Sequence, residues 1–258
     1  MRITALIVAA LVTGAMTASE DMSGARQQKP DADLATLVSA LEASALAGRI
    51  EDVKRARVDL LRMSAAPASG PRASLVRYSI AYAGWRMVFA PSVPDAEQVL
   101  VLEDAAMQLN EVLKTQPNDV EALSLLAAVQ GVRIAKSPEL GMTLGPESDQ
   151  LIERAMRLAP SNPRALAIGG QSALNTPPEY GGSVSRAEGL FRAALRAFEK
   201  QGAQAVWPNW GRFDAHVWLG QTLAQKGDKA GARAEYEKAL VIAPESAWVK
   251  FTLLPAVR

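Results

Sequence analysis

The sequence predicts an all-α protein built as a solenoid of stacked helical hairpins, and three observations predict it. The 258-residue chain is 49% hydrophobic but only 5% aromatic, and its apolar content rests on Ala and Leu, which favour helix. Apolar residues recur at helical spacing through most of the chain. A similar ending also recurs, an apolar helical turn closed by proline: Val112 to Pro117, Ala155 to Pro160 and Ala239 to Pro244. Such recurrence marks units that each have one apolar face they cannot bury alone, so they stack.

The first segment reads differently. Arg2 stands ahead of an apolar run from Ile3 to Met16, too short to span a bilayer and followed at once by small residues, which is the layout of a secretory signal peptide. Residues 1–18 are therefore expected to be a leader, cut after Ala18 or Ser19, and 19–33 a flexible polar spacer. The chain has no cysteine, so it has no disulfide, no thiolate nucleophile and no lipoprotein cysteine. The expectation is a soluble periplasmic or secreted protein without a membrane span once the leader is gone. The formal charge is +1 with both signs interspersed, and no basic stripe invites nucleic acid.

The clearest unit is residues 213–246. Leu219 and Leu223 share one helix face, Ala232, Tyr236, Ala239 and Leu240 share another, and Gly227-Asp228 breaks the chain between them. Leu219-Gly220, Gly227-Asp228, Ala232, Tyr236, Ala239 and Pro244 fall at offsets that resemble the tetratricopeptide repeat (TPR). His216 departs from that pattern, standing where the family usually has Trp, with Trp218 two positions later. The resemblance implies a right-handed solenoid of about five hairpins, at roughly 34–66, 73–118, 119–162, 163–201 and 213–246, with a cap at 247–258.

Upstream units carry insertions, because the prolines lie further apart than a repeat of roughly 34 residues requires. After Pro117 a helix is expected from Val120 toward Ala135, with its partner starting near Pro146 and the extra residues at the tip, Lys136 to Gly145. Asn162 is placed to cap the helix that Pro163 opens, and Ser185, three residues before Glu188, to begin a capping box. The tip between them runs from Asn175 to Gly182, and a third insertion lies at 201–212. Ala47-Gly48 resembles the Gly227 turn and predicts a hairpin from Leu34 to Arg62; further helices are expected over 73–89 and 95–115. The glycine-bearing tip and long hairpin helices also resemble exported bacterial repeat proteins, among them periplasmic companions of tripartite solute transporters.

Inventory excludes most catalytic chemistry. His216 is the only histidine, so neither a histidine-cysteine zinc site nor a cysteine-histidine pair can be assembled, and no metal or cofactor is expected. His216 itself reads as a packing or groove-edge residue. Gly131 to Ser137 superficially matches a phosphate-binding loop but lacks the glycine before its lysine and reads as helix. An enzyme would have to use carboxylates with Tyr180, Glu179 or another acid facing Tyr180 or Arg212 in a water-poor cleft.

The resemblance assigns function to the concave face, formed by the first helix of each hairpin, where an extended peptide or partner helix binds. The family's groove offsets fall on Glu121, Ser124 and Ala128; on Arg164, Ala167, Gln171 and Asn175; and on Asp214, Val217, Gln221 and Gln225. That set lacks a lysine and arginine clamp for a terminal carboxylate. Tyr180 in the tip Pro177 to Gly182 is a further candidate, against the simpler reading that it tucks onto neighbouring helices. Trp207 and Trp210 lie in the third insertion, where large side chains either pin a long linker onto the solenoid or line a recognition pocket. The reading is a non-catalytic scaffold that binds another protein, self-association included. The alternative is a small-molecule carrier or transporter accessory with an aromatic-lined pocket near the C-terminus.

Overall fold

The computed structural model describes residues 32–65, 70–201 and 207–258. The expected leader, most of the spacer, and the Pro67 separator between the first two units lie outside the described residues. Among the described residues the regular structure is wholly helical: α1 Ala32–Leu46, α2 Ile50–Ser64, α3 Pro71–Met87, α4 Asp95–Thr115, α5 Val120–Lys136, α6 Gly141–Leu158, α7 Pro163–Asn175, α8 Val184–Gln201, α9 Arg212–Gln225, α10 Lys229–Ile242 and α11 Leu254–Ala256, the last preceded by a π turn at Val249–Leu253.

Each helix packs on the next, giving five consecutive hairpins from α1–α2 to α9–α10. The odd helices α1, α3, α5, α7 and α9 also pack on one another in series, whereas even helices approach less closely, α2 meeting α4 through the ion pairs Arg57 to Asp104 and Lys54 to Glu97. The odd helices therefore form the inner wall of the curve and the even helices the outer one. Crossings between the two walls are close because small residues sit where backbones approach. A Cβ on Gly170 would lie 2.7 Å from the Phe191 ring, and one on Gly220 2.3 Å from the Tyr236 ring. Gly84 meets the Val101 carbonyl in the same way at the α3–α4 crossing. Ala155, Ala194 and Ala239 are fully buried at the matching sites on the second helices.

Local chemistry sets the boundaries. Gly48 and Gly227 take positive φ, 69° and 84°, which lets both turns close without a Cβ clash. Asp119 and Asn162 cap α5 and α7 by accepting from Ala122 N and from Arg164 N and Ala165 N, and Pro163 then starts α7 where its missing N–H is harmless. Asp228 Oδ1 accepts from Gly231 N at 2.8 Å to cap α10. Asp228→Ala is expected to lower stability by about 1 kcal/mol, read as a shift of the urea midpoint at unchanged slope.

Three boundaries differ from expectation. Helix α1 starts at Ala32, so the spacer ends before Asp33. Helix α6 starts at Gly141 and contains Pro146, because a 3₁₀ turn at Pro138–Leu140 already holds Leu140 at helical angles. The carbonyl that Pro146 leaves unpaired belongs to Met142, which is 81% exposed, so water satisfies it. Ser183, not Ser185, caps α8, its Oγ accepting from Arg186 N at 3.2 Å. Gly181 at φ 93° turns the chain so sharply that Ser183 N already reaches the Ala173 carbonyl, at 2.7 Å.

The core divides into an N-terminal cluster spanning α1 to α5, with Ile152 of α6 and Ile168 of α7, and a C-terminal one spanning α7 to the cap. Leu123, Ala155 and Ala165 join them at the middle hairpin. Trp210 precedes α9 yet packs in the N-terminal cluster, with Trp207 against it, so residues 207–211 lie across the inner wall.

Candidate functional site

That returning segment defines the site. Helix α3 presents Tyr78, Tyr82 and Trp85 along one inner face, all 3% exposed or less. Their spacing of four and three residues places them on one stripe of a helix. Trp210 stacks on Tyr82 with centroids 5.7 Å apart and planes at 27°, and lies 5.3 Å from Trp85. Trp207 meets Tyr78 edge-on at 4.9 Å. The Trp210 Nε1–H donates to Tyr78 Oη at 2.9 Å, so both buried polar ends of that pair are used. The Trp207–Pro208 peptide bond is cis.

Polar contacts fix the backbone of the same segment. The Asn209 N–H donates to Glu42 Oε1 on α1 at 3.0 Å. Arg164, 3% exposed on α7, forks onto Glu121 of α5 through Nε at 2.6 Å and Nη2 at 2.8 Å. Its Nη1 points at the Trp210 carbonyl, 3.5 Å away. Gly211, at φ 109°, packs against Phe198 and the Arg164 stem, where a Cβ would strike the ring. A second ion pair, Arg86 to Asp214 at 2.9 Å, ties α3 to α9 just past the segment. Three inner helices, α1, α3 and α7, thus hold one short stretch of chain, α5 acting through Glu121 on Arg164.

Burial shapes the titration of these groups. It pushes the Tyr78 and Tyr82 hydroxyls up, out of any physiological range. For Arg164 burial acts downward, but the Glu121 charge and its hydrogen bonds hold the guanidinium above its ordinary value. Glu42 is raised from 4.5 to about 7: burial dominates, the Asn209 N–H and the Arg164 charge oppose it, and Glu121 reinforces it. Tyr82 is the other titratable group coupled to Glu42. A carboxyl raised on folding binds its proton more tightly in the native state. Its stabilising contribution is therefore complete below about pH 4.5 and lost as pH rises through about 7. Glu42→Gln is accordingly expected to flatten the fall in unfolding free energy between pH 5 and 8 by about 2–3 kcal/mol, measured by urea denaturation across that range.

The candidate residues from the sequence separate into two sets. Ser124, Ala128, Arg164, Ala167, Val217 and Trp210 are buried, which removes them from direct contact with a partner. Glu121 and Asp214 are mostly covered and committed to Arg164 and Arg86. Trp207 is half-buried on Tyr78. Only Gln171, Gln221, Asn175 and Gln225, toward the C-terminal ends of α7 and α9, together with Tyr180 at 68% exposure, reach solvent. Tyr180 borders a cleft of about 100 Å³ with Asp149, Glu153 and Arg186. Of the groove offsets, Arg164 is the one the returning segment meets, through the Trp210 carbonyl.

His216 is buried, with Nδ1 2.7 Å from Glu235 Oε2. Burial alone would raise the Glu235 carboxyl, but His216 and Lys238 hold it below the usual range. This pair joins α9 to α10. The residues that sequence reasoning passed over are Glu42, Tyr78, Tyr82, Trp85 and Arg86. The aromatic stripe at 78, 82 and 85 was a detectable signal in so aromatic-poor a chain. Among the described residues no group of three or more His, Asp or Glu could hold a metal ion, and no helix is long and apolar enough to cross a membrane.

The comparisons with known proteins agree with the architecture. Residues 213–246 match the tetratricopeptide repeat model, so the α9–α10 hairpin is similar to that repeat and the whole is a TPR-like solenoid. Among curated proteins none matches the chain in sequence. Among solved structures, a thermophilic TPR protein of Thermus thermophilus superposes with a TM-score of 0.60 at 15% identity, covering 87% of this chain and 98% of its own. The HusA haemophore of Porphyromonas gingivalis superposes with a TM-score of 0.60 at 24% identity, covering 75% and 92%. At these identities both are similar in fold alone.

Proposed function

We propose that the chain is a non-catalytic protein-binding scaffold, exported to the bacterial periplasm or secreted, that engages its partner through the open end of the inner wall and the adjoining tip. TPR hairpins act by presenting side chains, and the observation that carries the reading is which side chains remain free. Gln171, Asn175, Gln221 and Gln225 reach solvent on two adjacent inner helices beside exposed Tyr180, whereas the candidates nearer the start of these helices, Arg164, Ala167 and Val217, are buried. An amide-rich surface of this kind suits hydrogen bonding to an extended peptide backbone. The expected test result is that proteins retained by the mature chain from its native envelope are lost with a Gln171→Glu/Gln225→Glu/Tyr180→Ala chain. Equal recovery by both would overturn the assignment. Export is supported by the Arg2-led apolar segment and is tested by the mature N-terminus of the secreted protein, which should begin near Ser19 or Glu20.

A second reading, a carrier of an apolar small molecule, is favoured by the aromatic stripe of α3 and by the likeness to a haemophore. In this structure Trp207 and Trp210 cover that stripe, packing on Tyr78 and Tyr82. Titration with haemin, followed by absorbance, checks it; an unchanged spectrum removes it.

A further inference from the structure

The segment Trp207 to Gly211 has the contacts of a bound ligand more than those of a linker. It joins two helices of the C-terminal core, yet its side chains enter the N-terminal one. Its two tryptophans, at i and i+3, land on an aromatic stripe; its backbone is read by Glu42 at an N–H and by Arg164 at a carbonyl. Anchors on alternate pockets with main-chain hydrogen bonds between them are how extended peptides are recognised. Trp85, 2% exposed and packed against Trp210, keeps its Nε1–H without an acceptor. The stripe therefore holds a donor that the resident segment does not use.

We infer that the inner wall of α1, α3, α5 and α7 is a binding site for an extended protein segment bearing tryptophans three residues apart, occupied in cis by Trp207 to Gly211. This site is distinct from the exposed surface of α7 and α9 and does not rest on the partner reading given above. A tethered occupant competes at an effective concentration of about millimolar. A partner segment therefore binds only to the fraction of molecules whose own segment has come off, and its apparent affinity falls by that fraction.

The test uses the full chain and a synthetic peptide of the sequence Trp-Pro-Asn-Trp-Gly-Arg-Phe. Calorimetry is expected to show one-to-one binding to a Trp207→Ala/Trp210→Ala chain at least tenfold tighter than to the unmodified chain. A peptide with both tryptophans replaced by alanine should not bind. A helical, cooperatively melting variant that binds the peptide no better than the unmodified chain overturns the inference. Where the variant does not fold, exchange in the unmodified chain decides. The Asn209 amide and Trp210 indole protons should exchange through an opening that leaves α3 and α9 protected; exchange only on global unfolding overturns the proposal.

Discussion

Arg164→Ala is expected to cost about 3–5 kcal/mol of unfolding free energy, because it strands a carboxylate inside the molecule. Glu121 is mostly covered and takes two charge-assisted hydrogen bonds from Arg164, at 2.6 and 2.8 Å. Without them it retains only the Asn162 amide, at 2.7 Å, beside a second carboxyl at Glu42. The two effects on α7 run opposite ways. Alanine gains a few tenths of a kcal/mol in helix propensity, far less than the unpaired charge costs. Replacing both partners at once, Glu121→Leu with Arg164→Met, should recover most of the loss, since an apolar pair of similar volume needs no desolvated charge. Urea denaturation monitored by helical circular dichroism measures both. A loss below about 1 kcal/mol for Arg164→Ala would mean that water reaches the pair as it reaches a surface one. The exposed Arg233 with Glu237, at 3.0 Å, provides that reference within the same molecule.

The sequence made the repeat legible where small and large residues alternate at fixed offsets, since those offsets reflect backbone contact. Gly220 against Tyr236 and Ala194 at a crossing follow from the requirement that two helices approach closely. Turns were legible for a similar reason: Gly48, Gly181 and Gly227 sit where φ must be positive. Boundaries were less so, because Pro146 reads locally as a helix start while the 3₁₀ turn before it nucleates the helix earlier. The site was least legible. That Arg164 would face Glu121, and Trp210 would face Tyr78, depends on where an insertion returns to the solenoid. No local pattern encodes a contact 132 residues away along the chain. What the insertion did announce was its aromatic content, which fits both pinning and recognition, and the structure shows why: the residues that pin the segment also cover the aromatic stripe of α3.

Tyr236→Ala is expected to lower stability by about 3–5 kcal/mol, the range for emptying the space of a large buried ring. The ring is 2% exposed and is among the largest buried side chains of the described residues. It lies directly over Gly220, so the site is framed by backbone that cannot collapse into the void. The reciprocal change separates packing from propensity. Gly220→Ala gains about 1 kcal/mol as a helix former, but its Cβ would stand 2.3 Å from the ring, and forcing the ring aside costs about 1–3 kcal/mol or more. The clash should win, giving a net loss. Adding Tyr236→Leu to Gly220→Ala should then cost less than the two single losses combined, because the smaller side chain relieves the clash that alanine creates. In a stacked array each hairpin draws support mainly from its neighbours. Hydrogen exchange should accordingly show lost protection in α9 and α10 first, with α3 and α4 affected last. Uniform loss along the whole chain would instead mean that the segment crossing the inner wall couples the two cores into one cooperative unit.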